Sequence, residues 1–126
     1  MNVEALDLLA TSVFLVNERG HIEYANAAAE DLFGRSRKQL CGHSAATLFD
    51  NPENIQSSID RAAAGRYADV RQLASLRRAT ESVEVAVTTV GLSGQRWPAL
   101  IETREIEQRV LAVSYTHLRA HETPEH

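Results

Sequence analysis

Val16–Gly42, VNERGHIEYANAAAEDLFGRSRKQLCG, joins a hairpin to two capped helices in fixed order. Just before it, Ser12–Val16 (SVFLV) is a short apolar run rich in β-branched residues, stopped by the polar turn residues Asn17 to Gly20, which is the signature of a strand and its turn. His21 to Ala25 then alternates, with Ile22 and Tyr24 on one face, as a half-buried partner strand requires. Asn26 precedes an alanine-rich run, so its side-chain oxygen is expected to cap a helix carrying Ala28, Ala29, Leu32 and Phe33, with Gly34 ending it. If capping is its whole role, Asn26→Asp should be close to neutral. Ser36 and Gln39 repeat the device as a capping box, and Gly42 closes the following turn.

Working outward, Asn2 to Ala10 places Val3, Leu6, Leu9 and Ala10 on one stripe, which predicts an amphipathic opening helix. After Gly42, HSAATLFD reads as one irregular helical turn. Asn51-Pro52-Glu53 starts a longer helix, with proline at the tolerated first position and acid in the first turn. Its apolar side is Ile55, Ile59, Ala62 and Ala63, and Gly65 ends it. Strand patterns occupy Tyr67–Leu76 and Val83–Val90, connected by Arg77 to Glu81. Ser93 to Arg96 form a turn, and Trp97–Thr103 is a last strand with Pro98 near its start or at an edge. The order is helix, two strands, helices, three strands.

The 126 residues support one domain with one core, and 44% apolar with 24% charged residues is an ordinary globular balance. A formal charge of −4 argues against a nucleic-acid footprint, which needs clustered Lys and Arg. No run is long enough to span a bilayer, and no Lys or Arg precedes Arg19, so neither a membrane anchor nor a secretory leader is expected. The single cysteine, Cys41, fits a reducing compartment. A cytoplasmic protein is the expectation.

The spaced pattern Gly20, Ile22, Tyr24, Asn26, Ala28, Ala29, Leu32, Gly34, Ser36, Leu40, Gly42 resembles the first half of a PAS domain, a small sensor fold. The resemblance covers roughly Leu6 to Arg104. It implies an α+β fold, a five-stranded antiparallel sheet with helices on one face, preceded by the N-terminal amphipathic helix. The expected organisation is residues 1–10 as that helix, 11–104 as the PAS domain and 105–111 as the start of a signalling helix. The flanks ALDLLATSVFLV and ALIETREIEQRVL resemble those of nitrogen-regulation histidine kinases of the NtrB (GlnL) type. In that family the last strand carries an L-[IL]-E-x-R segment, matched by Leu100 to Arg104, followed by a heptad-like apolar stretch matched by Ile106 and Val110. The resemblance implies a parent that autophosphorylates on histidine and passes the phosphoryl group to an NtrC-type response regulator under control of a PII protein. The chain itself, lacking a kinase core, is not expected to be an enzyme. The alternative is a ligand- or cofactor-binding PAS sensor of another signalling protein or transcriptional regulator.

The last fifteen residues, AVSYTHLRAHETPEH, show neither sheet alternation nor a helical stripe. Val113 to Thr123 is similar to the conceptual translation of a transposase adapter used in DNA library preparation, so residues 112–126 are expected to be foreign and the native reading to stop near Leu111. His117, His121 and His126 fall in this tail, and the adapter accounts for them better than a metal site does.

No G-x-S-x-G, Walker loop, H-E-x-x-H or C-x-x-C motif occurs, and no catalytic constellation is found. The segment Asn51–Gly65 has no histidine to hold haem, and Cys41 stands outside the motif of light-sensing flavin domains, so no cofactor is expected. Cys41 reads as a small buried hydrophobe, His21 and His43 as solvated loop residues, and Arg77-Arg78 as a solvated basic pair. Val13, Leu15, Leu32, Ile59 and Val85 either line a small apolar pocket or form plain core. Val3, Leu6 and Leu9, with Ile106 and Val110, have no obvious place in a one-sheet core, and a homodimer packed through them is expected.

Overall fold

The computed structural model describes residues 3–65 and 69–106, with only the backbone at 69 and 70. Its elements are α1 (Val3–Leu6), β1 (Ser12–Val16), β2 (Ile22–Ala25), α2 (Ala27–Phe33), α3 (Arg37–Leu40), a 3-10 turn (Ala45–Leu48), α4 (Pro52–Ala63), β3 (Asp69–Arg78), β4 (Glu81–Gly91) and β5 (Ala99–Glu105). All strand pairs are antiparallel, and the sheet order is β2-β1-β5-β4-β3. The five-stranded α+β architecture expected from the sequence is the one observed.

β1 lies between β2 and β5, and every one of its residues is buried. Because successive side chains point to opposite faces, this strand must be covered on both. Phe14 and Val16 join the main core beneath α2, α3 and α4, whereas Val13 and Leu15 join Leu6 in a separate cluster on the other face. Val3, Tyr24, Leu92, Trp97 and Leu100 pack around that second cluster. The five residues proposed to line one pocket are therefore divided by the sheet: Leu32, Ile59 and Val85 lie in the main core and Val13 and Leu15 do not. A strand apolar at every position contributes to two cores rather than to one cavity.

In the main core, Phe33 stands 5.0 Å from Phe14 and meets Phe49 edge-on at 5.8 Å, the tilted geometries that ring quadrupoles favour. α4 contributes Ile55, Ile59 and Ala62, and β4 contributes Val83, Val85 and Val87. Gln72 Nε2 donates to the buried Ser58 Oγ across 2.7 Å, tying α4 to β3.

Each sheet edge is met in part by a neighbouring loop. Along β2, Gly42 N–H donates to Ile22 O at 2.7 Å, and Ile22 N–H donates to His43 O at 2.9 Å. Gly42 adopts φ 92° to make this approach, a conformation that favours glycine. Along β3, Asp50 N–H donates to Ser75 O, while Ser75 N–H donates to the Asp50 carboxylate, both at 2.9 Å. Pairing of this kind protects edges that otherwise recruit other strands.

Several boundaries differ from expectation. The β3–β4 connection is only Ala79-Thr80, because Arg78 pairs directly with Glu81; alternation continues two residues further than composition suggests. β5 begins at Ala99 rather than Trp97: the Pro98 carbonyl accepts from Leu92 N–H at 2.8 Å in the register of the Gly91–Ala99 pair, but proline has no N–H with which to return the bond. The opening helix stops at Leu6, and three successive i→i−3 bonds from Asp7, Leu8 and Leu9 turn the chain away. Asn2, Tyr67, Val110 and the whole tail 112–126 lie outside the described residues, as do the boundaries assigned to them.

Candidate functional site

Asn26 is fully buried and uses both ends of its amide. Its Oδ1 accepts from Ala29 N–H at 3.0 Å, which is the expected cap of α2, and also from Val13 N–H at 2.9 Å. Its Nδ2 donates to Leu6 O at 2.8 Å and to Thr11 O at 2.9 Å. One side chain thus binds the end of α1, the start of β1 and the start of α2. This corrects the expectation for Asn26→Asp: aspartate keeps the acceptor but replaces a two-proton donor with oxygen facing two carbonyls. Capping was legible because it is local in sequence, whereas the bonds to Leu6 and Thr11 cross 20 and 15 residues.

Beside it, Asp7 Oδ1 accepts from Ala27 N–H and from Arg37 Nη2, each at 3.0 Å. Arg37 stands 5.1 Å over the Tyr24 ring, and its backbone N–H donates to Glu30 Oε2 at 2.7 Å. The nearby Tyr24 phenol does most to hold the Asp7 carboxyl below its ordinary value; burial opposes it, and the Ala27 N–H and Arg37 add smaller lowering effects. Burial pushes the Tyr24 phenol up, with the Asp7 charge adding to it. Neither Asp7 nor Arg37 was among the expected site residues, since nothing in sequence brings positions thirty apart together.

The remaining motif residues form the frame. Gly20 N–H closes the β1–β2 turn on Asn17 O at 2.9 Å. Gly34 caps α2 in the left-handed conformation, and Ser36 with Gln39 makes the full capping box on α3. Tyr24 belongs to the outer cluster. Gly42 secures the β2 edge.

The stripe assigned to an interface is divided as well. Leu6 is 9% exposed and packs on Val13 and Leu15, so the chain's own sheet covers it. Leu9 is 46% and Leu8 86% exposed. Val3 and Ile106 are half-buried. Cys41 packs against the main core, and burial pushes its thiol up, away from thiolate chemistry. Among the described residues no group of three or more His, Cys, Asp or Glu could hold a metal ion, and no helix is long and apolar enough to cross a membrane.

Comparison with known proteins places this geometry. A sequence model described as the PAS fold matches residues 1–121. The PAS domain of a protein from Colwellia psychrerythraea superposes with a TM-score of 0.71 at 20% identity, covering 84% of this chain and 94% of that one. The PAS domain of nitrogen regulation protein NR(II) from Vibrio parahaemolyticus gives a TM-score of 0.58 at 23% identity, covering 82% and 95%. A PAS domain in complex with ethanol, from a LuxR-family transcriptional regulator of Burkholderia thailandensis, gives 0.64 at 18%, covering 84% and 97%. No curated protein matches the sequence.

Proposed function

The chain belongs to the PAS family, and on that premise we propose that it is the sensory and dimerising input module of a nitrogen-regulation histidine kinase. PAS sensory domains occur on several kinds of output, and the matched residues include no kinase catalytic domain. The relation that carries the proposal is the pairing of Ser12, where β1 begins, with Thr103 in the strand that leads out of the domain. Asn26 fixes the segment just before Ser12 at Leu6 and Thr11. A change in how α1 docks therefore acts directly on the strand from which a signalling helix would leave. Leu100 to Arg104, followed by Ile106 and Val110, supplies the family-like exit, and fold similarity to the NR(II) PAS domain agrees with it.

In this reading two copies associate through the N-terminal segment, bringing two signalling helices side by side. The missing kinase core phosphorylates itself on histidine, transfers to an NtrC-type response regulator and answers to a PII protein. The domain acts without direct contact to nucleic acid or membrane. Residues 112–126 are an adapter-derived tail that displaces the native continuation.

Sequencing the uninterrupted gene beyond Leu111 tests both parts. An H-E-[IL]-[KR]-N-P segment soon afterwards, followed by an ATP-binding domain, is the expected result. An ATPase domain or helix-turn-helix there would sink the kinase reading in favour of a transcriptional regulator, and an unchanged tail would sink the adapter reading.

A further inference from the structure

Arg77 and Arg78 are neighbours in β3, and strand alternation sends their side chains to opposite faces. Arg78 is held by Leu32 O at 3.3 Å, Glu81 at 3.5 Å and Glu105 at 3.8 Å. The Arg77 guanidinium has no hydrogen bond or ion pair among the described residues. It lines a groove of about 370 Å³ with Arg35, from the link between α2 and α3, and His43, from the loop after α3; their side chains are likewise without a partner among the described residues. The bridge between Phe49 and Leu76 brings the 3-10 turn beside the hairpin end of β3 and so assembles the groove from segments distant in sequence.

Half-buried Leu48 gives the groove its main apolar surface, and Phe49 and Leu76, almost wholly buried, close it from beneath. Asp50 is the one acidic residue lining it, and its carboxylate already accepts from Ser75 N–H at 2.9 Å. Two guanidinium groups against one carboxylate leave a single positive charge. Guanidinium offers a planar fork of donors that matches a carboxylate, and the imidazole of His43 adds a further N–H. The volume lies within the range of small-molecule sites. The Asp50 charge opposes a dianion or a segment carrying several acids, so the balance favours a free monoanion.

We propose that this groove binds a small monocarboxylate with an aromatic or branched-alkyl body, its carboxylate on Arg35 and Arg77 and its apolar end against Leu48. The site rests on these residues alone and stands whichever output domain the parent carries.

Titrating the full chain with benzoate and with isovalerate at fixed ionic strength, read by amide resonances, tests this. At least one acid is expected to shift the Leu48, Phe49 and Arg77 amides saturably at millimolar concentration. Benzyl alcohol lacks the charge and acetate lacks the apolar body; these and inorganic phosphate should bind about tenfold more weakly or not at all. Arg35 and Arg77 are exposed, so Arg35→Gln and Arg77→Gln should leave the melting temperature unchanged while each weakens binding about tenfold. Arg61→Gln, at an exposed position on α4 outside the groove, should leave affinity intact. The proposal is overturned if neither acid shifts these amides, if benzyl alcohol, acetate or phosphate binds as tightly, if both groove variants keep wild-type affinity, or if Arg61→Gln weakens binding equally. Should one groove variant fail to fold, the other decides.

Discussion

The side-chain amide of Asn26 donates to the main-chain oxygen of Leu6 across 2.8 Å, joining the first helix to a residue twenty positions later. With Thr11, Val13 and Ala29 it makes four bonds, so removing the side chain strands donors and acceptors in three elements.

Asn26→Ala is therefore expected to cost on the order of 3 kcal/mol, more than a lone cap. Asn26→Asp should cost at least as much, because its oxygens face Leu6 and Thr11 carbonyls. Urea denaturation of both variants checks this, and a near-neutral aspartate would show that capping alone is the role.

Local devices were the legible part of this fold. The cap at Asn26, the box at Ser36 and Gln39, and the proline at the start of α4 each act within four residues, so spacing reveals them. What escaped reading depends on distant partners. Val13 and Leu15 looked like core neighbours of Ile59 because alternation gives two faces without saying what covers each. The Asp7–Arg37 pair, 3.0 Å apart, has no sequence signal. The end of α1 at Leu6 likewise follows from the bond to Asn26 and from the need to turn into β1.

Ala79 is the one non-glycine residue with positive φ among those described, at 56° in a two-residue hairpin turn. That backbone crowds a Cβ, so Ala79→Gly should stabilise by about 0.5–1 kcal/mol net of glycine's entropy. The melting temperature should rise by about 2–6 °C; a fall would mean that the turn is not strained.

The N-terminal segment should undock in acid. Asp7 has a folded-state pKa below its ordinary value near 3.9, so its contribution is present above that value and is lost as pH falls through the lowered one. Tyr24 is shifted the other way; its contribution is complete below about pH 10 and is lost as pH rises through its raised value. Trp97 fluorescence reports on the outer cluster it shares with Leu6. Asp7→Asn should flatten the acid transition, and an identical transition in that variant would assign it to other groups.

On the proposal that residues 112–126 are adapter-derived, deleting them should leave the melting temperature unchanged, because such a tail has no reason to complement the core. A clear fall on deletion would count against the foreign-tail reading.

The proposed dimer can be separated from the stability of the fold, because Leu6 and Leu9 are in different environments. Leu6 is packed on Val13 and Leu15, and burying such a side chain contributes about 1.5–3 kcal/mol; Leu6→Glu should loosen the monomer itself. Leu9, at 46% exposure, can be charged with a change in monomer stability of under about 0.5 kcal/mol. If the N-terminal segment is the interface, Leu9→Glu weakens association while leaving the denaturation curve in place, and adding Leu8→Glu deepens the effect. Sedimentation velocity at micromolar concentration should show a wild-type dimer and a Leu9→Glu monomer. A wild type that is monomeric throughout would place the association of the parent in segments beyond this domain.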